Sequence, residues 1–145
     1  MEELVYAVKS LEAVPHRLEL TRGKNYTIID DAYNSNPVGA KMALDTLGCF
    51  DGCKIIITPG MVELGSEQDR LNKEFGVNMA RVCDYIVLVG KEQTKAIFEG
   101  ILQERFDEKK IFVASSFDEG MEWIRGLEVD KEKFVLMEND LPDNY

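Results

Sequence analysis

The order of apolar patterns in this 145-residue chain predicts an α/β fold: three layers, with helices packed on a mostly parallel sheet that carries one antiparallel strand at its edge. Continuous apolar runs such as Lys54-Ile55-Ile56-Ile57-Thr58 and Tyr85-Ile86-Val87-Leu88-Val89 have strand length and suit strands covered on both faces. Segments of helical period separate these runs, and the strand-helix unit recurs roughly every thirty residues. Ahead of the first such unit, the turn-rich Arg22-Gly23-Lys24-Asn25 joins two short apolar pieces in the manner of a hairpin. Together these features imply Rossmann-like topology with right-handed crossovers.

From Glu2 to Glu12, Leu4, Val8 and Leu11 fall at helical intervals until Pro15 breaks the pattern. Residues 1–14 therefore read as a short helix and entry linker, and 15–145 as the domain proper. Leu18-Glu19-Leu20 and Tyr26 to Ile29 form the hairpin arms, the first antiparallel and at the sheet edge. Thr27-Ile28-Ile29 has the composition of a buried strand. After the loop that follows it, Pro37 suits the first position of a helix and Asn36 its N-cap, with Ala40, Ala43, Leu44 and Leu47 on the inner face. Lys54 to Thr58 is the next strand, closed by Pro59-Gly60. Ser66 to Val82 is a helix with Leu71, Phe75, Met79 and Val82 on one side. Asp84 to Gly90 is a strand, and Gln93 to Arg105 a helix with Ala96, Ile97, Ile101 and Leu102 inward. Ile111 to Ala114, Phe117 to Arg125 and Lys133 to Met137 complete the alternation as strand, helix and strand. Pattern alone leaves the order of the strands open.

The length suits one domain with a core of its own. With 17 basic and 27 acidic residues the formal charge is −10, which gives no electrostatic footprint for nucleic acid or an anionic membrane surface. The three cysteines, Cys49, Cys53 and Cys83, lack Cys-x-x-Cys spacing and share the chain with a single histidine, so they read as reduced thiols and not as a metal site. No apolar run reaches membrane-span length and the amino terminus is acidic, as expected of a cytoplasmic protein.

Chemistry is expected where Thr27-Ile28-Ile29 runs into Asp30-Asp31-Ala32-Tyr33-Asn34-Ser35-Asn36, because open α/β sheets bind ligands at the carboxyl ends of their strands. The loop also delivers a helix amino terminus, whose unpaired N–H groups favour an anion. No Gly-x-Gly-x-x-Gly follows the strand and no Gly-x-x-x-x-Gly-Lys-Ser/Thr occurs in the chain, so it lacks the usual means of gripping a dinucleotide or triphosphate alone.

The string Asp30-Asp31-Ala32-Tyr33-Asn34-Ser35-Asn36-Pro37 resembles the motif that opens the C-terminal domain of the Mur ligases, ATP-dependent enzymes that join amino acids or peptides to cell-wall precursors. Pro15-His16-Arg17-Leu18-Glu19 resembles the family's linker into that domain, and Met61-Val62-Glu63-Leu64-Gly65 its Met-x-Glu-Leu-Gly segment. The likeness is strongest to the branch that adds D-alanyl-D-alanine to a UDP-linked tripeptide. It implies that the chain works with N-terminal and central ligase domains, that the central one mainly holds ATP and Mg2+, and that this domain alone is inactive. It further implies that Arg17 reaches the ATP phosphates as the catalytic cation, and that Asp31, with Asn34 and Asn36, meets the nucleotide. Tyr33, Ser35 and Glu63 are left to face the UDP-linked muropeptide and dipeptide substrates.

Three departures from the family pattern stand out. Pro59-Gly60 replaces its Gly-Asp, Asn72 stands where a histidine is common, and Glu138-Asn139-Asp140 replaces its Lys-Gly-Ser run. Exchanging a cation for acids beside an acceptor pocket alters which amine is welcome. A Mur-like paralogue, a ligase of the folylpolyglutamate synthase type and a non-enzymatic Rossmann-like binding module are the alternatives. The folate branch usually has Asp-Gly-Ala-His-Asn-Pro, which this chain does not.

Overall fold

Six strands form one sheet in the computed structural model, which describes residues 19–22, 26–31, 37–60 and 65–138. They are β1 (Glu19–Arg22), β2 (Tyr26–Asp31), β3 (Cys53–Thr58), β4 (Tyr85–Val89), β5 (Ile111–Ala114) and β6 (Lys133–Glu138). Their order across the sheet is β1-β2-β6-β3-β4-β5. Strand β1 pairs antiparallel with β2, Glu19 opposite Asp30 and Arg22 opposite Thr27, so the hairpin and its edge position are as expected. Every other pairing is parallel. The last strand inserts between β2 and β3, an order that no periodicity in the sequence discloses.

Among the described residues four α-helices cover the sheet: α1 (Pro37–Gly48), α2 (Gln68–Val82), α3 (Lys95–Gln103) and α4 (Phe117–Arg125). Side chains alternate along each strand, so the run Ile55-Ile56-Ile57 feeds two cores at once. Ile56, with Ile29, Ile86, Leu88 and Leu136, packs under Leu44 and Leu47 of α1, Phe75 and Met79 of α2, and Ile97 and Ile101 of α3. Ile55 and Ile57, with Val87 and Val135, pack against Met121 and Ile124 of α4 on the opposite face. All three isoleucines are fully covered, and each such burial contributes about 1.5–3 kcal/mol. None of the described helices is long and apolar enough to cross a membrane.

Three expectations change in detail. The segment from Ser66 opens as a 3-10 turn at Gly65–Glu67 before the α-helix begins at Gln68. The next helix is shorter than expected because Thr94, whose hydroxyl donates to the Gly90 carbonyl, belongs to the turn before it, while Arg105 at φ 59 follows its end. Leu102, expected to face inward, is 39% exposed. Ile97, Gly100 and Ile101 are the buried residues of that helix. The expected amino-terminal helix lies outside the described residues.

Two glycines set the distance between α2 and α3. A Cβ on Gly76 would stand 2.2 Å from the Ile97 carbonyl oxygen, and one on Gly100 would stand 2.0 Å from that of Lys73. The two helices cross backbone to backbone, and any side chain there must push them apart. Gly100→Ala is expected to lower the unfolding free energy by about 1–3 kcal/mol in urea denaturation. Unchanged stability would show that the crossing is looser than described.

Candidate functional site

Every parallel strand ends at one edge of the sheet, and the chain leaves that edge through its polar loops. At β2 the last residue is Asp31, and α1 begins at Pro37, so residues 32–36 link the strand end to a helix amino terminus as expected. Asp31 is thus at the carboxyl edge. Arg17, Tyr33, Asn34, Ser35, Asn36 and Glu63 lie outside the described residues, as does the expected N-cap role of Asn36.

The parallel register brings a second acidic position to the same place. Asp31 and Glu138 are Cα partners on neighbouring strands, one step beyond the pair Asp30 and Met137. The run Glu138-Asn139-Asp140 therefore starts beside the Asp31 loop, and β6 separates that loop from the loop after β3.

Beyond β3 the chain turns sharply. Gly60 has φ 89 and its N–H donates to the Thr58 hydroxyl at 3.1 Å, both residues being buried. Asn72, only 1% exposed, donates from its side-chain amide to the Gln68 carbonyl at 2.9 Å, and its Oδ1 lies 3.4 Å from where a Cβ on Gly60 would sit. The asparagine therefore packs against the turn that carries the chain toward Glu63. Sequence reading noted Asn72 only as a departure from a pattern; its structural place shows in burial, which a polar residue on a helix does not announce.

A polar cleft of about 710 Å³ opens between the first turns of α2 and α3. Arg70, Lys73 and Lys95 line it together with Asp69, Glu92 and Glu99, so neither sign dominates. Arg70 is committed to Glu67 and Glu74. The cleft was not legible in the sequence, because it forms where two polar helix faces diverge.

At the opposite edge of the sheet, buried polar groups are satisfied within the chain. Lys133, 7% exposed, donates from Nζ to the Ile124 carbonyl at 2.8 Å and so closes the carboxyl end of α4, where a cation is favoured. The Thr27 hydroxyl donates to Glu132 at 2.6 Å and ties the start of β2 to the approach to β6. These contacts hold the frame.

Two of the three cysteines, Cys53 and Cys83, are buried, and Cys49 is exposed. Burial, reinforced by the neighbouring Asp84 carboxylate, pushes the Cys83 thiol well above its ordinary 9.0, and the same two causes raise Cys53. Neither is poised as a nucleophile. Among the described residues no three His, Cys, Asp or Glu side chains gather as a metal site.

A parallel sheet covered on both faces, with one antiparallel edge strand, defines a Rossmann-like domain. Residues 16–137 match the family described as Mur ligase, glutamate ligase domain, and the chain belongs to that family. It is 25% identical over 115 residues to the UDP-N-acetylmuramoyl-tripeptide--D-alanyl-D-alanine ligase of Escherichia coli (strain K12), covering 78% of this chain and 25% of that protein. The Haemophilus influenzae protein of the same name is 31% identical over 90 residues, 59% of this chain and 19% of its own length. The chain thus spans about a quarter or less of these relatives. Among solved structures, MurF ligase from Thermotoga maritima in complex with ADP superposes with a TM-score of 0.68 at 25% identity, over 87% of this chain and 27% of that one. MurF from Acinetobacter baumannii gives 0.72 at 23% identity, over 84% and 27%.

The raised thiols fix the sign of an alkaline effect. A thiol that holds its proton more tightly when folded lends stability that is complete below the unfolded pKa near 9.0 and is lost as pH rises above it toward the folded value. Urea unfolding between about pH 8 and 11 should show stability falling, with Cys83 alone contributing up to about 1.4 kcal/mol per pH unit. In Cys83→Ala that slope should be shallower. The same slope in both proteins would place the alkaline loss elsewhere.

Proposed function

We propose that this chain is the C-terminal domain of an ATP-dependent amide-forming ligase of peptidoglycan precursor synthesis, one that joins D-alanyl-D-alanine to UDP-N-acetylmuramoyl-tripeptide. The observation that carries this reading is the Asp31 strand end, which opens at the carboxyl edge into a helix amino terminus within a chain of this family. The names of its relatives support the substrate pair. In such a ligase, the substrate carboxylate takes the γ-phosphoryl group of ATP, giving an acyl phosphate and releasing ADP, and the incoming amine then displaces phosphate and loses a proton to form the amide. The central domain upstream holds ATP and Mg2+. The reading sets the protein in the cytoplasm.

This chain completes that centre with its own groups. The Arg17 guanidinium presents a fork suited to phosphate oxygens and stabilises the charge that builds on the transferred group. The Asp31 carboxylate accepts hydrogen bonds from the ribose, with Asn34 and Asn36 orienting the loop. Tyr33, Ser35 and Glu63 border the acceptor and the muropeptide. One observation favours a second reading, a Mur-like paralogue with a different acceptor: the register aligns Glu138 with Asp31, so an acidic run adjoins the proposed centre.

Steady-state kinetics of the intact ligase distinguish these roles. Arg17→Ala should lower kcat/KM about 10²–10³-fold, as expected for a group that acts in the transition state. Asp31→Ala should raise the KM for ATP about tenfold, the loss of a hydrogen bond to a charged group, with little change in kcat. Wild-type kinetics in both variants would overturn the assignment. The 145-residue chain alone should hydrolyse no ATP.

A further inference from the structure

We propose that the groove between α3 and β5 binds a small organic monoanion with an apolar body, at a site separate from the proposed ligase centre. The groove has a volume of about 340 Å³ and is lined by Lys91, Thr94, Lys95, Phe98, Glu99 and Val113. Its size lies at the lower end of small-molecule sites. Phe98 packs on the core below, and Val113 on β5 is 37% exposed, so the floor is apolar and open.

The topology accounts for the opening. After β4 the chain crosses to α3 on one face of the sheet, whereas after β5 it crosses to α4 on the other. Adjacent strands whose connections diverge leave a crevice at their carboxyl ends, the usual place for a ligand in such sheets. Gly90, at φ 91, turns the chain there and donates its N–H to the Ala114 carbonyl at 2.8 Å, which fixes both walls. Among the described residues no strand lies beyond β5, which stands at the edge of the sheet. The Val113 side chain therefore lacks the full cover that α1 to α3 give the interior strands.

Charge selects the ligand. Neither Lys91 nor Lys95 is engaged in an ion pair among the described residues, while Lys41, Arg70 and Arg81 all are. Two lysines and Glu99 leave one positive charge in excess around the groove, which suits a single carboxylate or sulfonate above an aromatic or branched alkyl group. Glu92 lines the neighbouring polar cleft. Four strand spacings separate β5 from β2, about 19 Å, so this groove lies apart from the Asp31 strand end.

Amide chemical shifts of the 145-residue chain, followed by NMR during titration with 4-phenylbutyrate, test the site. Saturable shifts are expected at residues 90–98 and 111–114. The uncharged 4-phenylbutan-1-ol should bind about two- to fivefold more weakly, the effect of losing partly exposed charge pairing. The Lys91→Glu/Lys95→Glu double variant should show a similar loss for the acid, with the rest of its spectrum unchanged. Val113→Asp should remove binding of both compounds. Shifts that do not saturate, that cluster at residues 68–73 across the polar cleft or along β2, or that are equal for acid and alcohol would overturn the proposal.

Discussion

The double pairing of β6 is the constraint on which the remaining structure depends. Ile28 and Ile55 are both Cα partners of Val135, and Ile29 and Ile56 are both partners of Leu136, so the last strand joins two halves of a sheet that otherwise do not touch. Until it is in place, β2 and β3 lack neighbours on their facing sides, and Val135 and Leu136 leave gaps in the two opposite cores. A closure this distant in sequence is slow to form and stabilises the whole once formed. It also decides which loops are neighbours at the carboxyl edge.

The two edges of the sheet serve different ends. On the amino side, Lys133 caps α4, Thr27 meets Glu132, and Cys83 and Cys53 are sealed as thiols. These contacts satisfy polar groups that burial would otherwise penalise. On the carboxyl side, the glycine turns at Gly60 and Gly90 hold the strand ends in fixed directions, and the charged residues gather around open clefts. Stability and recognition are thus separated along the strands, a division that lets loops vary without weakening the frame.

Much of this was legible in the chain. Continuous apolar runs marked the parallel strands because both of their faces are covered, and the turn at Arg22 to Asn25 marked the antiparallel edge because a parallel crossover needs a longer connection. The neighbours of each strand were not legible, since alternation specifies a face and not a partner. Leu102 was misplaced for a related reason: Gly100 brings α3 so close to α2 that the inward stripe narrows to Ile97, Gly100 and Ile101. At the site, the dense string after Ile29 drew notice through residue type alone, while the place of Asn72 and the polar cleft arise from packing between elements.

Membership of the Mur ligase family and a match that spans about a quarter of the Escherichia coli relative frame the central claim: this sheet edge completes a nucleotide site that another domain holds. A structure of the intact ligase with a non-hydrolysable ATP analogue tests that most directly. The account predicts the Asp31 carboxylate hydrogen-bonded to the ribose and the Arg17 guanidinium on the phosphates, both reaching across a domain boundary. A nucleotide enclosed by the upstream domains alone, with residues 31–36 turned away from it, would contradict the account.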